Sequence, residues 1–284
     1  MSYTVFAKAG DTIIENLTDF ELSRIFDCGQ CFRFARSCEN QWTGAAFSRK
    51  LTALQTGDRL ILKDTSLADF YDIWEGFFDL KCDYSLIREA ISTDETINEA
   101  IKKGYGIRIL NQDTWECLIS FIISQNNNIP RIKKIIEALC ERYGEDMGGI
   151  KAFPTPQALA AVCVEELHSL GTGYRDEYIS LAARSVAEGR LDLNKLNAME
   201  TPEARSTLLS LKGIGGKVAD CILLFGMGRK EVCPHDVWVK RIFAEKYGIT
   251  AVTEKKGYEL AKGKWGQYAG VAQQYLFYSE RGFS

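Results

Sequence analysis

The chain has only 5 Pro and 2 His among 284 residues. So little proline excludes a collagen-like or linker-rich polypeptide. Only one cysteine pair has CxxC spacing, nothing supplies a second pair, and the two histidines, His168 and His235, do not complete a zinc-type cluster with it. No segment approaches the ~18 uninterrupted apolar residues of a membrane span, and the N-terminal MSYTVFAKAGDTIIENL has no signal-peptide core. An intracellular protein with no membrane partner is therefore expected. Positive charge is not in excess either: 35 Lys+Arg face 38 Asp+Glu, for a net charge of -3. That balance excludes a protein coated in positive charge, but a local basic face could still hold phosphate. Tandem repeats and low-complexity runs are also missing.

What is present describes an ordinary globular protein. Hydrophobic residues make up 46% and charged residues 26%, and the length suits one large domain or two modest ones. Nine cysteines in a reducing compartment read as free thiols, and only Cys28 and Cys31 have CxxC spacing. The charge is uneven along the chain. The first hundred residues carry 17 acidic against 10 basic side chains, and the remainder carries 25 basic against 21 acidic. Two units with different tasks are implied.

The first unit has strand texture. Residues 41–47, 51–54 and 59–62 are short, partly alternating runs separated by turn residues such as Thr56-Gly57-Asp58. They predict an antiparallel sheet, accompanied by helices over 67–78 and 84–103. From Gly104 onward the pattern is helical, with helices expected at 114–125, 129–143, 155–167, 174–187, 202–211, 217–225, 236–247, 253–262 and 267–279. The stretch TWECLISFIISQ (114–125) is too apolar for a surface helix and reads as a buried one. The fold class expected is α+β: an N-terminal antiparallel sheet domain over residues 1–105 followed by a helical domain over 106–284.

The densest signal is Leu211-Lys-Gly-Ile-Gly-Gly-Lys-Val-Ala-Asp-Cys221. Two helices meet across a turn containing Gly213, Gly215 and Gly216, where glycine permits positive φ and close backbone approach. The amides that open the next helix could then face a phosphate. A nucleotide P-loop is excluded, because no strand precedes the turn, the GxxxxGK spacing is absent and Val218 stands where a Ser/Thr is needed. Lys217 opens the second helix beside apolar Ile214 and Val218, a setting suited to an amine nucleophile. Nineteen residues on, Asp236 in Cys-Pro-His-Asp-Val-Trp-Val-Lys directly precedes another helix and is a good N-cap. A hairpin, a lysine opening one helix and an aspartate opening the next could bring amine and carboxylate together.

These residues resemble the helix-hairpin-helix and Gly/Pro-Asp signature of base-excision DNA glycosylases, whose lysine marks the glycosylase/lyase kind. Further segments resemble the eukaryotic-type 8-oxoguanine DNA glycosylases: Cys28-Gly-Gln-Cys-Phe-Arg33, Ser124-Gln-Asn-Asn-Asn-Ile-Pro-Arg131, Gly171-Thr-Gly-Tyr-Arg175 and Gly270-Val-Ala-Gln-Gln-Tyr-Leu-Phe277. They occur in the family's order and span nearly the whole chain.

The resemblance implies duplex DNA containing oxidised guanine as partner, and a monomeric enzyme. It makes Lys217 the nucleophile at C1′ of a flipped nucleoside and Asp236 the group that stabilises charge on the sugar. Gly29, through its carbonyl, would read the N7–H of the oxidised base. Cys221 and Phe277 would sandwich that base, and Gln273 would bond its Watson–Crick edge. Asn126, Arg131 and Arg175 would read the cytosine left behind, Tyr174 would fill the vacated stack, and Gly213 and Gly215 would meet the backbone. No cofactor is required on this reading. A structural monovalent or divalent cation on the carbonyls of Leu209, Leu211 and Ile214 is the one metal it implies.

The sequence also departs from the family. Trp238 stands where a histidine is usual, and Pro130 where a small residue is common. The four-cysteine iron–sulfur loop of endonuclease III and adenine glycosylases is missing. An alkylated-purine glycosylase shares the architecture but generally lacks the lysine, and a module that only grips DNA would need neither Asp236 nor the pocket residues.

Overall fold

The alternation seen in the first hundred residues becomes one face of a sheet. In the computed structural model, which describes residues 3–249 and 253–282, six strands pair antiparallel in the order β1-β2-β6-β5-β4-β3. They are β1 (Thr4–Lys8), β2 (Asp11–Glu15), β3 (Phe34–Cys38), β4 (Gln41–Ala46), β5 (Arg49–Thr56) and β6 (Arg59–Lys63). Trp42 faces Ala53, which faces Leu62, so a buried row crosses three strands. Helix α1 (Leu22–Asp27) and the helical segment between Leu67 and Phe77 close that face with Phe26, Phe70, Trp74 and Phe77. Phe26 stacks on Phe34 at 4.2 Å between centroids.

The sequence pattern misses β1, β2, β3 and α1. The two edge strands bury little: β3 buries only Phe34 and β1 buries none of its residues. Their pairing comes from backbone groups of the neighbouring strand, which leave no mark on side-chain composition.

The helical body comprises α2 (Tyr84–Ile91), α3 (Glu95–Lys103), α4 (Thr114–Ser124), α5 (Ile129–Tyr143), α6 (Asp176–Ala187), α7 (Thr201–Leu209), α8 (Gly216–Met227), α9 (Val237–Tyr247), α10 (Glu254–Trp265) and α11 (Ala269–Arg281). Short helical turns at Pro156–Ala160, Val164–Leu167 and Leu193–Ala198 connect them. α4 is buried from Thr114 to Ile123, as its composition demands. The helix expected over 84–103 is two, because Asp94 caps a new start by accepting the Ile97 amide at 3.1 Å. The 155–167 helix is likewise broken at residues 161–163. By packing, α2 and α3 belong to the helical core, not to the sheet core.

Two buried polar side chains join the bodies. Gln30 donates to the carbonyls of Ile25 and Arg108 and accepts the Leu110 amide, each at 2.9 Å. Arg108 donates to the carbonyls of Asp19, Asp79 and Cys82 at 2.8–3.2 Å, with its guanidinium 4.5 Å from the Tyr84 ring centre. Burial is tolerable because the polar groups are hydrogen-bonded. These bonds pin residues 28–30 of the sheet domain over the helical body.

Glu116, in the first turn of α4, is also buried. Burial pushes its carboxyl up to about 7, with Arg33 pulling the other way and Asp113 adding to the rise. Between the ordinary glutamate range and about 7 the folded state holds a proton that the unfolded chain lacks, so stability is lost as pH rises through that window. Glu116→Gln is expected to flatten the profile and remove a penalty on the order of 3 kcal/mol at neutral pH. Urea denaturation between pH 4.5 and 8 checks this; parallel slopes for the two proteins would refute it.

Candidate active site

The hairpin between α7 and α8 needs its first glycine twice over. Gly213 has φ +87°, and a Cβ there would lie 2.2 Å from the Tyr178 ring. Gly215 is the extended N-cap of α8, with nothing within 4 Å of an added Cβ, so this edge of the turn is open. Lys217 follows in the first turn of α8. Its Nζ donates to Ser124 Oγ at 3.2 Å and lies 5.3 Å over the Phe121 ring. Ser124 can accept because its own hydroxyl donates to the Phe121 carbonyl at 2.8 Å.

Asp236 caps α9: its Oδ1 accepts the amides of Trp238 at 3.0 Å and Val239 at 2.9 Å. Burial lifts its carboxyl above the usual carboxylate range, while the Val239 amide, Lys217 and the Trp238 amide oppose the rise. Lys217 and Asp236 line the same cleft of about 730 Å³, together with Ser124, Asn126 and Phe277. They also wall an adjoining recess of about 50 Å³ that is bounded by Gly29, Cys221, Gln273 and Phe277. The structure therefore brings the amine, the carboxylate and the four expected base-pocket residues to one place.

Within that recess the groups are unreactive surfaces and one waiting acceptor. Burial pushes the Cys221 thiol up to about 11, Lys217 counteracting, so it stays neutral and offers a flat apolar contact. Gln273 is buried, and its Oε1 has no hydrogen-bond partner among the described residues. Gly29 has φ +79°, and an added Cβ would lie 3.2 Å from Ile129 Cδ1 and 3.5 Å from Phe277 Cε1. Gly29→Ala is expected to cost about 1–2 kcal/mol through the left-handed backbone and to narrow the recess. Thermal unfolding and single-turnover base excision should both worsen; an unaltered excision rate would remove Gly29 from the pocket.

The expected opposite-base residues gather on another edge. Asn126 is exposed just past α4 with φ +45°. Arg131, in the first turn of α5, donates to the Gly171 carbonyl at 3.2 Å. Tyr174 is 53% exposed and meets Tyr178 edge-on. Arg175 is placed otherwise than expected. It is buried, with its guanidinium donating to the carbonyls of Gln125 (2.8 Å), Asn126 and Thr172 (both 3.0 Å). In this structure it props the turn that displays Asn126 and does not face solvent, because three carbonyls already satisfy it. At the hairpin, the Leu211 carbonyl accepts the Ile214 amide at 3.1 Å, one turn beyond Leu209.

Residues 12–118 match the model of the 8-oxoguanine DNA glycosylase N-terminal domain. Residues 119–267 match that of the HhH-GPD superfamily base excision DNA repair proteins. The chain belongs to that superfamily. It is 30% identical to the N-glycosylase/DNA lyase OGG1 of Arabidopsis thaliana, over 93% of this chain and 78% of the relative. It is 32% identical to a probable N-glycosylase/DNA lyase of Methanothermobacter thermautotrophicus, over 72% of each. Among solved structures, MBOgg1 in complex with a low-affinity DNA ligand superposes with TM-score 0.96 at 44% identity, over 99% of both chains. The Clostridium acetobutylicum 8-oxoguanine glycosylase/lyase, solved with DNA containing cytosine opposite 8-oxoguanine, gives 0.96 at 35% identity, also over 99% of both.

Several residues of this glycosylase site carry no distinguishing sequence signal. Gln274 donates to the Cys28 carbonyl at 2.9 Å and so holds the Gly29 segment in place, yet it reads identically to its neighbour Gln273. Ser124, which takes the Lys217 amine, ends a helix that is otherwise apolar. His235 precedes Asp236 and packs against Phe243 and Tyr258.

Proposed function

We propose that the protein excises 8-oxoguanine opposite cytosine from duplex DNA and then cuts the strand, with Lys217 as nucleophile and Asp236 as the electrostatic partner. The reading is carried by one observation: an amine, a carboxylate and an unpartnered amide oxygen border a single recess. The Gln273 oxygen is an acceptor, and the Watson–Crick edge of 8-oxoguanine offers donors from its ring N–H and amino group. A base in a duplex is out of reach, so the nucleotide leaves the stack at a cost of about a few kcal/mol.

In this mechanism the Lys217 nitrogen bonds to C1′ while the bond from C1′ to the base breaks, the bonding electrons leaving with the base. The sugar ring opens to a Schiff base, a proton is lost from C2′, and the 3′ phosphate departs. Asp236 stays ionised and lowers the energy of positive charge on the sugar. Two of its acceptor sites are fixed by amides, so its orientation is set before substrate arrives. Asn126 and Arg131 suit the edges of the orphaned cytosine, and Tyr174 supplies an exposed ring to fill the gap.

The Leu209, Leu211 and Ile214 carbonyls are hard oxygen donors suited to an alkali or alkaline-earth cation. Such an ion would add positive charge for a DNA phosphate. No described helix is long and apolar enough to cross a membrane, and an enzyme that repairs DNA would work inside the cell.

Incubation with an 8-oxoguanine·cytosine duplex and borohydride is the test. A covalent adduct mapping to Lys217 and a nick 3′ to the lesion are expected. A protein that gives neither ends the proposal, and substitution of the opposite base tests the cytosine preference.

A further inference from the structure

Lys217 bonds to Ser124, and Asp236 to two amides of the helix it caps. Among the described residues no hydrogen bond or ion pair joins the two to each other. Their spacing is therefore set by the backbones that carry them. The first turn of α10 lies against both. A Cβ on Gly216, the residue before Lys217, would stand 2.4 Å from Glu254 Oε1. A Cβ on Gly257 would stand 2.3 Å from Nε2 of His235, the residue before Asp236. The Tyr258 ring adds a second contact, 5.2 Å from the His235 ring between centres. One side chain ties this turn down. Arg205, on α7, donates through Nε to Asp220 Oδ1 at 2.8 Å and through a terminal nitrogen to Glu254 Oε1. Its guanidinium also lies 5.2 Å from the Tyr258 ring centre. Asp220 is 1% exposed and lies one turn beyond Lys217 on α8, whereas Glu254 is 52% exposed. A planar fork on two carboxylates fixes direction as well as distance.

We propose that Arg205 is a positioning residue that sets the spacing of the Lys217 amine and the Asp236 carboxylate. By holding Asp220 and Glu254 together, it seats the first turn of α10 against the starts of both functional segments. It bonds to neither group itself. The inference rests on the base-excision reading above, where amine and carboxylate must reach the same sugar while the bond to the base breaks. Misplacement of groups that act together is costly in rate even when nothing at the reacting centre is removed. A preformed abasic site makes a smaller demand. No base leaves it, so the amine can form the Schiff base without a carboxylate to stabilise the departing step.

Glu254→Ala tests this with little risk to folding, because the side chain is half exposed and its loss leaves Arg205 paired with Asp220. Single-turnover excision of 8-oxoguanine should slow about tenfold, while borohydride trapping on a preformed abasic site changes less than about twofold. Arg205→Met should show the same selective loss with a lower unfolding midpoint, since it leaves Asp220 buried and unpaired. Adding Asp220→Leu to Arg205→Met removes that charge, so the midpoint should recover while excision stays slow. In an Asp236→Asn background, Glu254→Ala should cost less than about twofold more, because spacing to an absent charge no longer matters. Full excision by Glu254→Ala overturns the positioning role. Equal losses on both DNA substrates, full additivity with Asp236→Asn, or excision that returns with stability in the Arg205→Met/Asp220→Leu protein overturn it too. An unmutated protein that forms no adduct with 8-oxoguanine DNA overturns the excision reading and this inference with it. Undiminished variants of an active protein overturn this inference alone.

Discussion

Lys217→Gln is expected to abolish borohydride trapping, base excision and strand cleavage together. Glutamine is one bond shorter than lysine but still polar and able to donate toward Ser124 Oγ, which the lysine amine contacts at 3.2 Å, so the recess changes little while the nucleophile disappears. Removal of an essential nucleophile commonly costs on the order of 10⁴–10⁶ in rate. Affinity for lesion-bearing DNA should change only slightly, because Lys217 serves the chemical step at C1′ and most binding energy comes from phosphate contacts made elsewhere. A gel-shift titration beside a nicking assay distinguishes the outcomes. Residual nicking above a thousandth of the unmutated rate, or an adduct on a different lysine, would disqualify Lys217.

The second large effect separates the two tasks of Asp236. The side chain both caps α9 and presents an ionised carboxylate to the lysine. Asparagine is an equally good N-cap, so Asp236→Asn should melt within a degree or two of the unmutated protein. Its excision rate should nonetheless fall about 10²–10³-fold, the usual worth of a well-aimed charge-stabilising group. Asp236→Ala loses the cap as well, at about 1 kcal/mol of stability. The pH dependence has a definite sign. Burial raises this carboxyl above the ordinary aspartate range and the anion is the working form, so the rate falls as pH drops through that raised value. The acid limb of the rate profile should vanish in Asp236→Asn. An acid limb that persists unchanged would assign it to another group.

Both predictions concern residues that local sequence signals mark. Lys217 follows a glycine turn and Asp236 precedes an apolar-periodic helix, and each feature depends on no more than about ten neighbouring residues. The helix starts were readable for the same reason: Asp113, Asn128, Asp236 and Thr253 each accept a backbone amide from two or three residues further on. Where the decisive partner lies far along the chain, the sequence pattern is silent. Edge strand β3 has little side-chain periodicity of its own, and the break at Asp94 is reinforced by Tyr247 and Lys264, more than 150 residues away.

The same division runs through the site. Gln273 and Gln274 are chemically identical in sequence, but one leaves its amide oxygen unmet at the recess and the other anchors Cys28. Arg175 is expected from the resemblance to read the orphaned cytosine, and in the structure three carbonyls hold it as a buried prop. Arg281 meets Trp238 across 43 positions. From sequence alone came the two-part architecture, the buried helix 114–125, the hairpin, and the amine and carboxylate at helix starts, because hydrophobic period, glycine torsion and capping act over one or two turns. Only the tertiary structure decided which side chains share the recess and which polar groups are already satisfied. Those depend on packing between segments whose separation along the chain carries no record of their distance in space.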